Sequence, residues 1–280
     1  MSTILLPFYD DDVSQHAFEL AARLVRETNG YLEGLFVMRR PQILEGDGQM
    51  LADTHFTQLM EECRHAADRA RARFETCAAD QGLAIEGVSA SKGPAAGWRE
   101  IEGMEEQVVG GHARLFNLVV VGREFGRAWL NWRVIVESAL FESGRPVILT
   151  PETPSATFGE NVVIAWNSST ETARTIAFSM PLLTRARNVT VLSVQGWGVP
   201  NPSAKELAVY LARAGVPATA RTVDPHGLSA GETILDQCAR TGADLLVKGA
   251  YTQSRLRQLI FGGATRHVLA HAHLPVVLAH

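Results

Sequence analysis

Gly249 ends the apolar run ADLLVKG, and Gly262 and Gly263 stand directly before ATRHVLAHA, a segment with helical character. A helix start leaves backbone N–H groups without partners and carries a partial positive charge, and glycine admits an anion to those groups with no side chain in the way. The chemistry on offer is phosphate recognition. The same pattern also serves as a plain turn into a helix, and its spacing is neither a Walker motif nor GxGxxG. Lys248, directly before Gly249, either reaches a phosphate or lies solvated at a strand end.

The other residues able to do chemistry point less clearly. His267 and His271, four apart on one helix, present two imidazoles for a metal, yet the Glu of HExxH and a third ligand are missing, so solvated helix positions are the default. Asp10, Asp11 and Asp12 read as a helix N-cap with acidic first-turn residues before they read as a cation site. Phe125, Trp129 and Trp132 form an aromatic group that suits core packing or an interface between halves, with an apolar ligand as the sharper alternative. No GxSxG, spaced Cys/His set or convincing acid/base pair of carboxylates is present, and nothing argues for efficient catalysis.

The elements that must position these residues are written twice. ILLPFYDDDVSQHAFELAARLV near the start and VVIAWNSSTETARTIAFSMPLL after residue 161 are each an apolar strand, a cap-rich turn and an amphipathic helix. NLVVVGRE then pairs with DLLVKGAY, and GRPVILTP with HLPVVLAH. The first half carries an insertion between its first two landmarks, placed at the Pro- and Gly-punctuated MRRPQILEGDGQMLADTHF and a long Arg/Glu-rich helix ending near Ala79. TPETPSATFGEN reads as the linker, which predicts domains over 1–151 and 160–280. In the second half strands are expected near 161–166, 188–194, 217–223, 244–248 and 275–279. Continuous apolar runs alternating with helices argue for a parallel sheet covered on both faces, with right-handed crossovers and ligands at the carboxyl ends of strands where the winding reverses.

Composition narrows the class. The 280 residues are 46% hydrophobic and 20% charged, the balance of a globular protein, with a formal net charge of -4. Lysine occurs only at Lys92, Lys205 and Lys248, and no basic block offers a footprint for nucleic acid. No segment approaches the roughly 20 apolar residues that span a bilayer, and no leader is recognisable, so no membrane partner and a cytoplasmic location are expected. Cys63, Cys77 and Cys238 form no CxxC. On one helix, Cys63 and Cys77 lie about 21 Å apart at about 1.5 Å per residue, too far for a disulfide, and a reduced compartment with buried thiols is the natural reading.

AWNSSTETAR, PHGLSAGETILDQCARTGADLLVKGAY and SRLRQLIFGGATRHVLAHAHLPVVL run through nearly the whole of the second half. With them it resembles the universal stress protein family. The resemblance implies an α/β fold of two tandem Rossmann-like (adenine nucleotide alpha hydrolase-like) domains. Each is a five-stranded parallel sheet of order 3-2-1-4-5 with helices on both faces. Intramolecular pairing of the two domains would then leave a monomer or a weak homodimer. Family members that bind ATP use G-x2-G-x9-G-[S/T] after the fourth strand and an Asp after the first. On this sequence Gly249 and Gly262 match the first and third glycines, while Thr252, Gly263 and Asn167 replace the second glycine, the Ser/Thr and the Asp. The resemblance therefore implies a cofactor site for ATP, with Mg accompanying it, formed by Ala165, Trp166, Asn167, Val194, Lys248, Gly249, Thr252, Gly262, Gly263, Ala264 and Thr265.

The first half keeps the strand landmarks but departs from the pattern. Gly122 matches Gly249, yet Arg133 and Val134 fall where the glycine pair should be, and Tyr9 falls at the position of Asn167. At most one nucleotide per chain is expected, with the first half retained for pairing or for another ligand. The implied function is a stress response protein binding an adenine nucleotide in its second half. The alternative, favoured by Thr252 and Asn167, is a stress scaffold that binds no nucleotide and acts through protein contacts.

Overall fold

Short apolar runs form the strands, and the polar turns that follow them form the helix starts. The computed structural model describes residues 2–38, 49–85, 93–123, 129–199, 201–250 and 263–280. The chain divides into two units, Met1–Arg145 and Pro146–His280.

The first unit contains β1 (Thr3–Pro7), α1 (Asp12–Thr28), β2 (Tyr31–Met38), α2 (Gln49–Asp80), β3 (Ala84–Ile85), β4 (Ala95–Glu102), α3 (Glu105–His112), β5 (Leu118–Gly122) and α4 (Trp129–Glu142). Its strands lie in the order β3-β4-β2-β1-β5, all parallel. The acidic triplet is a helix start: Asp11 caps α1 by accepting from the Ser14 N–H at 2.6 Å, and Asp12 opens its first turn. Asp10 faces arginines of α2, with Arg69 at 3.1 Å and Arg73 at 3.5 Å. These partners account for the triplet without a cation. The long Arg/Glu-rich helix of the insertion is α2, while the loop before it, residues 39–48, lies outside the described residues; α2 carries Cys63 and Cys77 as free thiols, Cys77 buried and Cys63 half-buried. Phe74 of α2 packs edge-on against Phe8 and Phe18, with ring centroids 5.4 and 5.1 Å apart, and so joins the insertion to the core.

The second unit contains β6 (Val147–Thr150), β7 (Asn161–Ala165), α5 (Thr170–Leu183), β8 (Asn188–Val194), α6 (Ala204–Arg213), β9 (Ala218–Val223), α7 (Ala230–Thr241), β10 (Leu245–Gly249), α8 (Ala264–His271) and β11 (Val276–Ala279). The order is β6-β11-β10-β7-β8-β9. The five parallel strands β7 to β11 thus follow the 3-2-1-4-5 arrangement. With right-handed crossovers, the reversal after β9 sets α5 and α6 on one face and α7 and α8 on the other, where α7 and α8 pack together. Helices α6 and α7 open with capping boxes, Ser203 with Glu206 and Ser229 with Glu232.

One strand makes a pairing that the sequence pattern does not announce. GRPVILTP forms β6, which is hydrogen-bonded antiparallel to β11, with Val147 opposite Leu278 and Leu149 opposite Val276. This pairing joins segments far apart in the chain, and a local pattern carries no information about it. The second unit therefore has a sixth strand, and the first has the two-residue β3 at its edge.

Candidate functional site

Strand β7 lies between β8 and β10, and the winding direction changes there, so the crevice beyond its carboxyl end is where ligands of such sheets sit. Ala165, the last residue of β7, is in register with Lys248 of β10 on one side and Leu192 of β8 on the other. Val194 closes β8, buried.

The turn after β7 is fastened from within. The Trp166 indole N–H donates to the Pro202 carbonyl at 2.7 Å. Asn167 is buried, and its Oδ1 accepts from the Thr172 hydroxyl at 2.7 Å and from the Ser169 N–H at 3.3 Å. Ser169 in turn caps α5 through the Thr172 N–H. The carboxamide oxygen of Asn167 thus organises the start of α5. Its backbone is also engaged: Val199 N–H donates to the Asn167 carbonyl at 3.2 Å, and a Cβ on Gly198, whose φ is 90°, would stand 2.4 Å from that oxygen. The β8–α6 connection therefore lies directly on the β7–α5 turn, at a distance that only glycine permits.

Gly249 has a packing reason of its own. A Cβ there would fall 2.5 Å from the backbone nitrogen of Thr172 in the first turn of α5. Gly122 stands in the same relation to α1, its absent Cβ lying 2.8 Å from the Val13 carbonyl oxygen. The match between Gly122 and Gly249 is a match of architecture, since both let the end of the fourth repeated strand touch the helix after the first.

Lys248 is 2% exposed, which corrects the reading of a solvated side chain at a strand end. Its Nζ donates to Thr265 Oγ1 at 2.6 Å and to the Gly249 carbonyl at 2.8 Å, and lies 5.8 Å from the centre of the Trp197 ring. Burial pushes its pKa down from 10.5 to about 7. Thr265 is buried in the first turn of α8, so the amine ties the end of β10 to the start of that helix. Gly263 is the N-cap of α8 and supplies no side-chain hydrogen bond to it, and Ala264 follows as its first residue. Thr252 and Gly262 lie outside the described residues.

The structure therefore brings Ala165, Lys248, Gly249 and Thr265 together, with Trp166 and Asn167 on the adjoining turn. Trp197 and Gly198 belong to the same place and were not singled out from the sequence; the small-aromatic-small run Gly196-Trp197-Gly198 was the available signal. His267 and His271 stack at 4.3 Å between ring centroids, and His271 Nδ1 lies 2.9 Å from the His267 carbonyl. His267 is not a freely solvated position: it packs on Gly231 of α7, and desolvation followed by the nearby His271 lowers its pKa. Among the described residues no group of three or more His, Cys, Asp or Glu side chains gathers to hold a metal. Nor is any helix among them long and apolar enough to cross a membrane.

In the first unit, α4 already begins at Trp129, so Arg133 and Val134 lie inside a helix rather than before one. Phe125 lies outside the described residues, while Trp132 is buried.

Residues 161–280 match the model of the universal stress protein family. Among curated proteins, none matches the sequence. Of solved structures, a universal stress protein from Archaeoglobus fulgidus DSM 4304 is 14% identical with a TM-score of 0.73, the alignment covering 99% of this chain and 98% of that one. A functionally unknown protein from Pseudomonas aeruginosa PAO1 is 13% identical with a TM-score of 0.55, covering 100% and 92%. At such identities the likeness is one of fold.

Proposed function

The chain carries a universal stress protein family domain over residues 161–280, and from that premise we propose that it is a cytoplasmic stress response protein that binds one adenine nucleotide, ATP, in its second unit. The observation that carries this reading is the start of α8. Gly263 leaves the first-turn N–H groups of that helix without a side-chain cap, beside the carboxyl end of β10, and the buried amine of Lys248 is held against Thr265 in the same turn. Phosphate oxygens accept from the N–H groups of such a turn and are favoured by the helix dipole. Mg would arrive with the triphosphate and offset part of its charge. An anion at this point raises the proton affinity of Lys248, so nucleotide binding is coupled to proton uptake near neutral pH.

The test is titration calorimetry with ATP on the parent, Gly263→Asp and Arg133→Gly. Aspartate is a good N-cap, so the first substitution keeps α8 while placing a carboxylate where phosphate would sit. One site per chain in the parent, none in Gly263→Asp and an unchanged site in Arg133→Gly is the expected result. Two sites per chain, or undiminished binding in Gly263→Asp, would sink the reading.

A second reading has its own observation. Asn167 brings no charge, and its carboxamide oxygen is engaged by Thr172 and Ser169. A parent that binds no ATP favours a stress scaffold that acts through protein contacts.

A further inference from the structure

A cavity of about 320 Å³ opens in the first unit at the carboxyl ends of β1, β2 and β5. Its volume lies at the lower end of the roughly 300–1,000 Å³ of small-molecule sites. It occupies the point where the winding of this sheet reverses, between β1 and β5, as ligand crevices in such folds do. Among the described residues of this unit, α4 runs through Arg133 and Val134 without a glycine break, so no helix start falls at the place that Gly263 holds in the second unit. The crevice is present all the same.

Its lining defines what fits. Tyr9, Phe36, Val37, Val121, Trp132 and Ile135 give it apolar and aromatic walls, with the rings of Tyr9 and Phe36 5.6 Å apart. Among the described residues, its charged side chains are Asp11 and Glu105, and no Lys, Arg or His lines it. Glu105 is 7% exposed and accepts from the Tyr9 hydroxyl at 3.0 Å, which fixes the carboxyl group at the wall. Asp11 is held at the head of α1 by its cap to Ser14. Among the described residues, a phosphate or carboxylate entering this space meets two acidic groups. A positive charge meets the reverse, strengthened by the low polarity of the walls and by aromatic faces.

We infer that the first unit binds a small apolar amine, its ammonium directed to Glu105 and Asp11 and its hydrocarbon body against Phe36, Trp132 and Ile135. The site is independent of nucleotide binding in the second unit. The full-length protein is titrated calorimetrically with 2-phenylethylamine and with 3-phenylpropionate, which presents a similar aromatic body on an anion. The same titrations are run on Glu105→Gln and on Val13→Phe, whose ring would fill the cavity from a half-exposed position on α1. Circular dichroism melting confirms that each variant is folded.

The expected result is one amine per chain, no response to 3-phenylpropionate, affinity at least about tenfold weaker in Glu105→Gln, and none in Val13→Phe. If Glu105→Gln fails to fold, Val13→Phe and the contrast between the two probes still decide. No binding of the amine overturns the inference, as does 3-phenylpropionate binding equally well, or full affinity in a folded Glu105→Gln protein.

Discussion

Gly249 and Thr172 meet at main-chain distance: a methyl group on the glycine would stand 2.5 Å from the threonine nitrogen and 2.6 Å from its Oγ1. Neither neighbour is the free end of a flexible side chain, so relief requires moving β10 or α5. Gly249→Ala is therefore expected to cost about 1–3 kcal/mol of stability by overpacking. Gly122→Ala, with its contact to the Val13 backbone, is expected to cost a similar amount. Urea denaturation of both variants measures this. A Gly249→Ala protein of unchanged stability that has lost ATP binding would mean that the glycine serves the ligand instead.

Lys248 gives stability a pH dependence with a definite sign. Its folded pKa is lowered from 10.5 to about 7 by burial, so between those values the unfolded chain binds a proton that the folded chain does not. Stability from this group accordingly rises with pH across that window. It falls as pH drops toward about 7, below which both states are protonated and the contribution is flat. Lys248→Met removes the slope, and the gap between parent and variant should change by on the order of a few kcal/mol between the two ends of the window. Urea midpoints at several pH values check it; parallel curves for the two proteins would refute it.

Asn167 separates a structural oxygen from a charge. Asn167→Ala removes the acceptor of both the Thr172 hydroxyl and the Ser169 N–H, and is expected to cost about 1 kcal/mol. Asn167→Asp keeps both bonds and adds a negative charge beside the first turn of α5, where the helix dipole favours it. Its stability at neutral pH should equal or exceed that of the parent in thermal melts. A destabilised Asp variant would show that the amide NH2 group, rather than the oxygen, is the essential half.

The strands of the second unit were legible because a parallel strand covered on both faces must be apolar at successive positions, as in Val162 to Ala165 and Leu245 to Val247. Helix starts were legible where a cap is a local pair, as with Ser229 and Glu232. The burial of Lys248 was not, because an ammonium group argues for water, and only the folded arrangement brings Trp197 and Thr265 over it. Glu105 escaped notice for the same reason: its neighbour Tyr9 is distant in the chain, and nothing in EEQVVGGH marks the first glutamate as buried. Gly249 was noticed for the right position, but its contact with Thr172 supplies a reason that the spacing of glycines does not contain.

The place of β6 bears on how this chain is cut. A fragment beginning at residue 161, where the match to the family starts, would contain all five parallel strands yet leave one side of β11 with a row of unsatisfied amides and carbonyls. Such a border recruits whatever extended segment is at hand, another copy included. A fragment beginning at Pro146 keeps that pairing and ends instead on the four-residue β6; so short an edge recruits less, and the longer fragment should self-associate less than the shorter one. The stretch that matches the family and the stretch that keeps β11 paired thus begin at different residues.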